Sequence, residues 1–88
     1  MDRRVLVINE KDNVGVLLEN TLKGDQVHYQ GKTIVILESI EFAHKVALVD
    51  ILKARDVVKY GENIGFALSD IKQGQWVHSH NMGCQRGK

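Results

Sequence analysis

The chain has a single cysteine, Cys84, so no internal disulfide can form, and nothing else in it calls for an oxidising compartment. Long apolar runs are also missing. The longest are about four or five residues, against the roughly 20 that cross a bilayer as a helix. Neither sign of charge dominates: twelve Lys and Arg against eleven Asp and Glu leave a net charge of +1. That supplies no general attraction toward nucleic acid or anionic lipid. The N-terminal MDRRVLVINEKDN carries basic residues without the apolar segment of a signal peptide. The expected location is the cytoplasm, with no nucleic-acid and no membrane partner. Arg3-Arg4 and Arg86-Gly-Lys88 read as solvated basic ends, and GCQRGK is one spacer short of a phosphate loop.

Helical periodicity is scarce too. No segment repeats apolar residues at 3.6-residue spacing over the ten to twelve residues a helix needs. The 43% apolar and 26% charged composition is that of a folded protein, and 88 residues make one domain, 1–88, with a thin core. What the chain does contain is short apolar strands. Val5–Ile8, Val14–Leu18, Thr33–Leu37, Val46–Val49, Val57-Val58, Ile64–Leu68 and Trp76–His78 are separated by polar or glycine-bearing turns. Thr33-Ile-Val-Ile-Leu37 is the strongest of them, and its unbroken apolar character predicts cover on both faces. Asp50 and Asp70 are each placed to cap one helical turn.

A loose internal repeat runs through these segments. Asp50-Ile51 is followed by Ala54 and Val57, Asp70-Ile71 by Gly74 and Val77, and Thr21-Leu22 by Gly24 and Val27. Three irregular copies do not make a solenoid. They fit a mostly β domain that reuses one turn-to-strand unit, with one or two short helical turns.

Two of the chain's four histidines stand close together in WVHSHNMG, Trp76 to Gly83. On a strand, His78 and His80 share one face with Trp76, roughly 6.5–7 Å apart along the chain. Such a pair can give two nitrogens to a metal or grip two oxygens of a polar ligand. His44-Lys45 is a second candidate, its ammonium suited to a carboxylate. His28 in QVHYQG reads as a surface strand residue. Tyr60 reads as a packed ring, and Gly61 and Gly65 as sites of a tight turn and close backbone approach.

The stretch from His44 to Met82, HKVALVDILKARDVVKYGENIGFALSDIKQGQWVHSHNM, resembles the SAF domain of the altronate and galactarate dehydratase family. The resemblance is carried by HK, by KYGxxIG and by VHxHN, with Asp12-Asn13-Val14 matching a further mark. Ala43 and Ala54 depart from it, each standing where the family has glycine. At Ala54 a positive φ becomes unfavourable, so a turn of different shape is expected.

The resemblance implies a β-clip fold and a place in enzymes that eliminate water from sugar acids, or sulfite from sulfolactate. It implies a small subunit, inactive alone, that completes the active site of a large catalytic dehydratase-type subunit. His44, His78 and His80 are then the catalytic candidates, and Lys45 and Asn81 the substrate-binding ones. His78 and His80 would form part of a site for a divalent metal (Fe²⁺, Mn²⁺ or Zn²⁺) filled only in the full complex. His44 should lie within about 10–12 Å of the histidine pair, close enough to share a ligand through water. SAF-like domains also serve as binding, assembly and ice-binding modules. The alternative is therefore a non-catalytic binding or regulatory module for a sugar acid or protein partner. Only two threonines, Thr21 and Thr33, argue against an ice-binding face.

Overall fold

Four copies of one turn-to-strand unit build the protein, whose computed structural model describes residues 1–84; the Arg86–Lys88 end lies outside them. The copies start at Thr21, Ile40, Ile51 and Ile71. These pair as antiparallel bridges, Thr21 with Ile40 and Ile51 with Ile71. Three positions on, Gly24, Ala43, Ala54 and Gly74 have φ of 94°, 72°, 72° and 88°. The next residue's N–H then closes the turn: Asp25 donates to Leu22 O, His44 to Glu41 O, Arg55 to Leu52 O and Gln75 to Lys72 O, at 2.9–3.1 Å. A left-handed third residue is the mark of a type II turn. Each unit ends on a fully buried valine: Val27, Val46, Val57 or Val77.

The copy starting at Ile40 is absent from the sequence reading, because Ser39 stands where Asp50 and Asp70 lead their copies. The expectation that Ala54 would give a turn of different shape is corrected. Ala43 and Ala54 both hold the left-handed conformation glycine would take, since the flanking hydrogen bonds fix the backbone. Ala43 N donates to Leu17 O and Ala54 N to Ala67 O, both at 2.8 Å.

The expected helical turns are not seen; the described residues form only strands, bridges and turns. Asp50 and Asp70 do cap backbone N–H groups, but across the Ile51–Ile71 bridge. Asp50 Oδ1 accepts from Gln73 N and Asp70 Oδ1 from Lys53 N, both at 2.8 Å. The chain leaves each aspartate in bridge pairing, and a helix cannot start there.

Among the described residues there are ten strands: β1 (Asp2–Arg3), β2 (Val5–Leu6), β3 (Val14–Leu17), β4 (Gln26–Tyr29), β5 (Lys32–Val35), β6 (Lys45–Ala47), β7 (Asp56–Lys59), β8 (Glu62–Ala67), β9 (Trp76–Val77) and β10 (Met82–Gly83). The central sheet is antiparallel, in the order β2-β3-β6-β9. Its alternating side chains feed two cores. Leu17 and Val46 join Val27, Ile34, Ile36, Ile40 and Leu48 on one side, under the hairpin β4–β5. Val14, Ala47 and Val77 join Ile51, Val57, Ala67 and Ile71 on the other, under β7, β8 and β10. Period-two alternation across one sheet is what separates them. This all-β arrangement of short sheets and folded-back hairpins is the expected β-clip.

Two hairpins turn on two residues of positive φ, Gln30-Gly31 and Tyr60-Gly61, the geometry of the tight type I′ turn. Asp12 and Asn13 staple the second hairpin to the central sheet. Asp12 Oδ1 accepts from Gly61 N at 2.7 Å, and Asn13 Oδ1 from Val58 N at 2.7 Å. Gly65 has no room for a side chain: a Cβ there would sit 2.1 Å from the carbonyl oxygen of Gly83 in β10.

Two further expectations change. Thr33–Leu37 is covered on one face only, Ile34 and Ile36 being buried while Val35 and Leu37 are exposed. Tyr60 is half-exposed at the hairpin tip with Lys59 Nζ 4.8 Å from its ring centre, because the turn carries it out of the core.

Candidate functional site

Antiparallel pairing of β6 with β9 brings the two candidate motifs together. Lys45 lies opposite Val77 and Val46 opposite Trp76, so the next pair along the same register is His44 opposite His78. Residues directly opposed across an antiparallel pair share a face. The His44 and His78 rings are 5.2 Å apart between centres, well inside the separation expected from sequence. Trp76 stands among them, with ring centres 5.5 Å from His44, 5.3 Å from His78 and 4.8 Å from His80. The His78 ring stacks on the indole with 12° between planes.

The histidine pair is not on a strand. Strand β9 ends at Val77, and residues 78–81 turn back into β10. The reason is Asn81, which is buried. Its Nδ2 donates to Trp76 O at 2.8 Å, and its Oδ1 accepts from His78 N at 2.9 Å. With Asn81 N and Met82 N both donating to His78 O, these bonds close the turn. The VHSHN motif is thus a loop whose asparagine is the internal clamp and whose histidines are carried outside. Both amide ends of Asn81 are engaged within the loop, where they set the positions of His78 and His80. His78 and His80 are exposed; His44 and Lys45 are half-buried.

The site is electropositive. Burial lowers the pKa of Lys45, and the neighbouring Lys59 charge lowers it further. His78 lies below the usual histidine range, first by desolvation and then by the charges of Lys45, His44 and His80. Among the described residues, the ion pairs join the N-terminus, Arg3, Arg4 and His28 to acids, and none involves these groups. The carboxylate seen bonded here is that of Glu38, which accepts from Trp76 N at 3.1 Å. Sequence reading passed over Glu38 and gave Trp76 only a place on the face; one reaches the site from 38 positions away, and the other acts through contacts no spacing reveals.

Such a cluster matches an anion with several oxygens, a carboxylate above all. It does not make a metal centre of its own. Among the described residues no three His, Cys, Asp or Glu side chains gather to hold an ion. The His44 Nδ1 is engaged by the Trp76 indole N–H at 3.1 Å, and the lysine charges oppose a second cation. His28 lies elsewhere, exposed on β4 between Asp2 and Thr33, as a surface residue. Cys84 is exposed and outside the cluster.

Comparison with known proteins agrees with the geometry. The family model of the altronate/galactarate dehydratase SAF domain matches residues 3–85. The chain is 42% identical over 74 residues to an altronate dehydratase of Escherichia coli, covering 84% of the chain and 15% of that protein. It is 35% identical over 71 residues to a galactarate dehydratase (L-threo-forming) of the same organism, covering 80% of the chain and 13% of that protein. A third relative, the (2R)-sulfolactate sulfo-lyase subunit alpha of Chromohalobacter salexigens, is 31% identical over 88 residues. That match spans 92% of the chain and 94% of the subunit. The chain therefore covers less than a sixth of the dehydratases but nearly all of the sulfo-lyase subunit.

Proposed function

The chain belongs to the altronate/galactarate dehydratase SAF-domain family, and from that premise we propose that it works as the small subunit of a two-subunit lyase. The lyase eliminates water, or sulfite, from a sugar acid or related 2-hydroxy acid. The small subunit is inactive alone and docks its histidine face at the pocket of a large catalytic subunit in the cytoplasm. The observation that carries this reading is the convergence of His44, His78 and His80 on Trp76 at one end of β6 and β9, within reach of the Lys45 charge, in a chain that spans nearly all of a sulfo-lyase subunit.

Elimination begins by removing a weakly acidic proton beside a carboxylate, and negative charge grows on that carboxylate as the proton leaves. Fixed cations are most useful where charge develops. Lys45 holds the carboxylate there. His78, its pKa lowered by its surroundings, has a free lone pair for a proton, a protonated His80 offers one toward the departing group, and His44 adds a hydrogen bond. Asn81 and Trp76 fix these rings. Should Fe²⁺, Mn²⁺ or Zn²⁺ take part, His78 and His80 supply two ligands at most, and the large subunit supplies the others.

The test is reconstitution. The purified chain, the dehydratase-type large subunit of the same organism and their mixture are assayed with altronate, galactarate and (2R)-sulfolactate. Turnover in the mixture alone is the expected result. Turnover by the small chain alone, or equal turnover by the large subunit without it, overturns the proposal.

A further inference from the structure

Trp76 is in ring contact with all three site histidines, and its contact with His44 is directional. The indole nitrogen lies 3.1 Å from His44 Nδ1. An indole N–H only donates, so Nδ1 must present its lone pair. A neutral imidazole has one ring proton, and it is then on Nε2. The indole is held firmly. It packs on the core formed by Leu17, Val46 and Leu48, its backbone N–H is bonded to Glu38, and its carbonyl is bonded to Asn81.

We infer that Trp76 is a positioning residue that locks His44 as the Nε2–H tautomer, so that His44 meets an anionic ligand as a hydrogen-bond donor and not as a base. With the indole N–H occupying Nδ1, the lone pair of His44 is spent inside the protein. The remaining imidazoles, His78 and His80, are left for proton abstraction. The three chemically identical side chains thereby take different roles. The catalytic consequence rests on the lyase reading above; the tautomer assignment does not.

Long-range nitrogen NMR of the imidazoles in the free chain tests this, at about pH 8.5 where histidines are neutral. The expected spectrum has the His44 proton on Nε2. Trp76→Phe, or benzothienylalanine in place of Trp76 to keep the bicyclic shape, should release the lock and give a mixture of tautomers. In the reconstituted enzyme the same variants should lower kcat roughly tenfold or more with KM little changed. A wild-type His44 protonated on Nδ1 overturns the inference, as does a tautomer unchanged by benzothienylalanine or a kcat that ignores its release. If the wild-type complex has no lyase activity at all, the lyase reading fails while the NMR result still decides the lock.

Discussion

Asp50 and Asp70 cap each other's turns. Each lies just before its own bridge residue, and each accepts at 2.8 Å from a backbone N–H in the other's turn, Gln73 and Lys53. The reciprocity follows from the paired units, which place equivalent atoms at equivalent distances. Asp50→Ala and Asp70→Ala should therefore cost similar amounts. Both carboxylates are exposed, so the cost is about 0.5–1 kcal/mol each. Urea unfolding of the single mutants reads this directly. One variant neutral and the other down by more than about 2 kcal/mol would contradict the equivalence.

The two alanines at positive φ give a prediction of opposite sign. Ala43 and Ala54 hold φ of 72°, where a Cβ costs about 1–2 kcal/mol. Both are exposed, so glycine loses no packing. Glycine does carry extra freedom in the unfolded chain, worth about 0.4–1 kcal/mol against it. Ala43→Gly and Ala54→Gly should each raise stability by about 0.5–1 kcal/mol, seen as a rise in Tm of a few degrees. A fall in Tm for both would mean that the left-handed strain is not there.

These same residues explain what was legible beforehand. The strands were readable because β-branched runs announce themselves, and the His44 and VHSHN motifs because a resemblance marked them. The second copy of the repeat was hidden, since Ser39-Ile40 stands where the next two copies open on Asp-Ile. The helical turns failed for a related reason: an aspartate before an apolar residue reads alike whether it caps its own segment or a neighbouring one. The strand assigned to His78 and His80 failed because the clamping role of Asn81 depends on a backbone reversal that no period-two pattern contains.

Acid stability should be set by the buried carboxylates Asp25 and Asp12. Asp25 lies below the usual aspartate range because Leu22 N–H and the Arg3 guanidinium hold its charged form. Asp12 is also lowered: burial acts against it, but backbone N–H groups of Gly61 and Asn9 outweigh that. A lowered folded-state pKa means the unfolded chain takes up protons first as pH falls. The stability these groups supply is thus complete above the ordinary aspartate value of 3.8 and is lost as pH drops through their folded values. Asp25→Asn should weaken the protein at pH 7 and flatten the acid limb of its stability profile. An unchanged acid limb would show that Asp25 does not govern it.

The charge pattern of the site predicts which small ions it accepts. Lys45 contributes to the lowered pKa of His78, after desolvation, so Lys45→Met should move the His78 titration back toward the ordinary value without reaching it. Tartrate or sulfate should move it upward as well, because an anion favours the protonated ring. Zn²⁺ added to the free chain should bind weakly, since two imidazoles fall short of the three or four ligands of a firm site. NMR titration of the histidines follows all three. Tight Zn²⁺ binding by the isolated chain would mean the cluster is a metal site after all.

Asn81 and the histidines beside it should respond in opposite ways to truncation. His78 and His80 are exposed, and their rings contact Trp76 and, for His78, His44, so an alanine at either position should cost at most about 1 kcal/mol. The same changes should lower turnover of the reconstituted complex by roughly a hundredfold where the ring moves a proton. Asn81→Ala removes two hydrogen bonds from a buried position and leaves Trp76 O and His78 N without their partner. An unpaired buried polar group costs about 1–3 kcal/mol, so this variant should lose about 2–4 kcal/mol. It should also lose activity, because the loop that presents both imidazoles opens. Asn81→Asp keeps the acceptor for His78 N but sets a carboxylate oxygen against Trp76 O, so near pH 7 it should destabilise at least as much as Asn81→Ala. Thermal unfolding beside turnover separates the roles. Stability untouched by Asn81→Ala, with activity lost, would move Asn81 from the loop's clamp to the substrate.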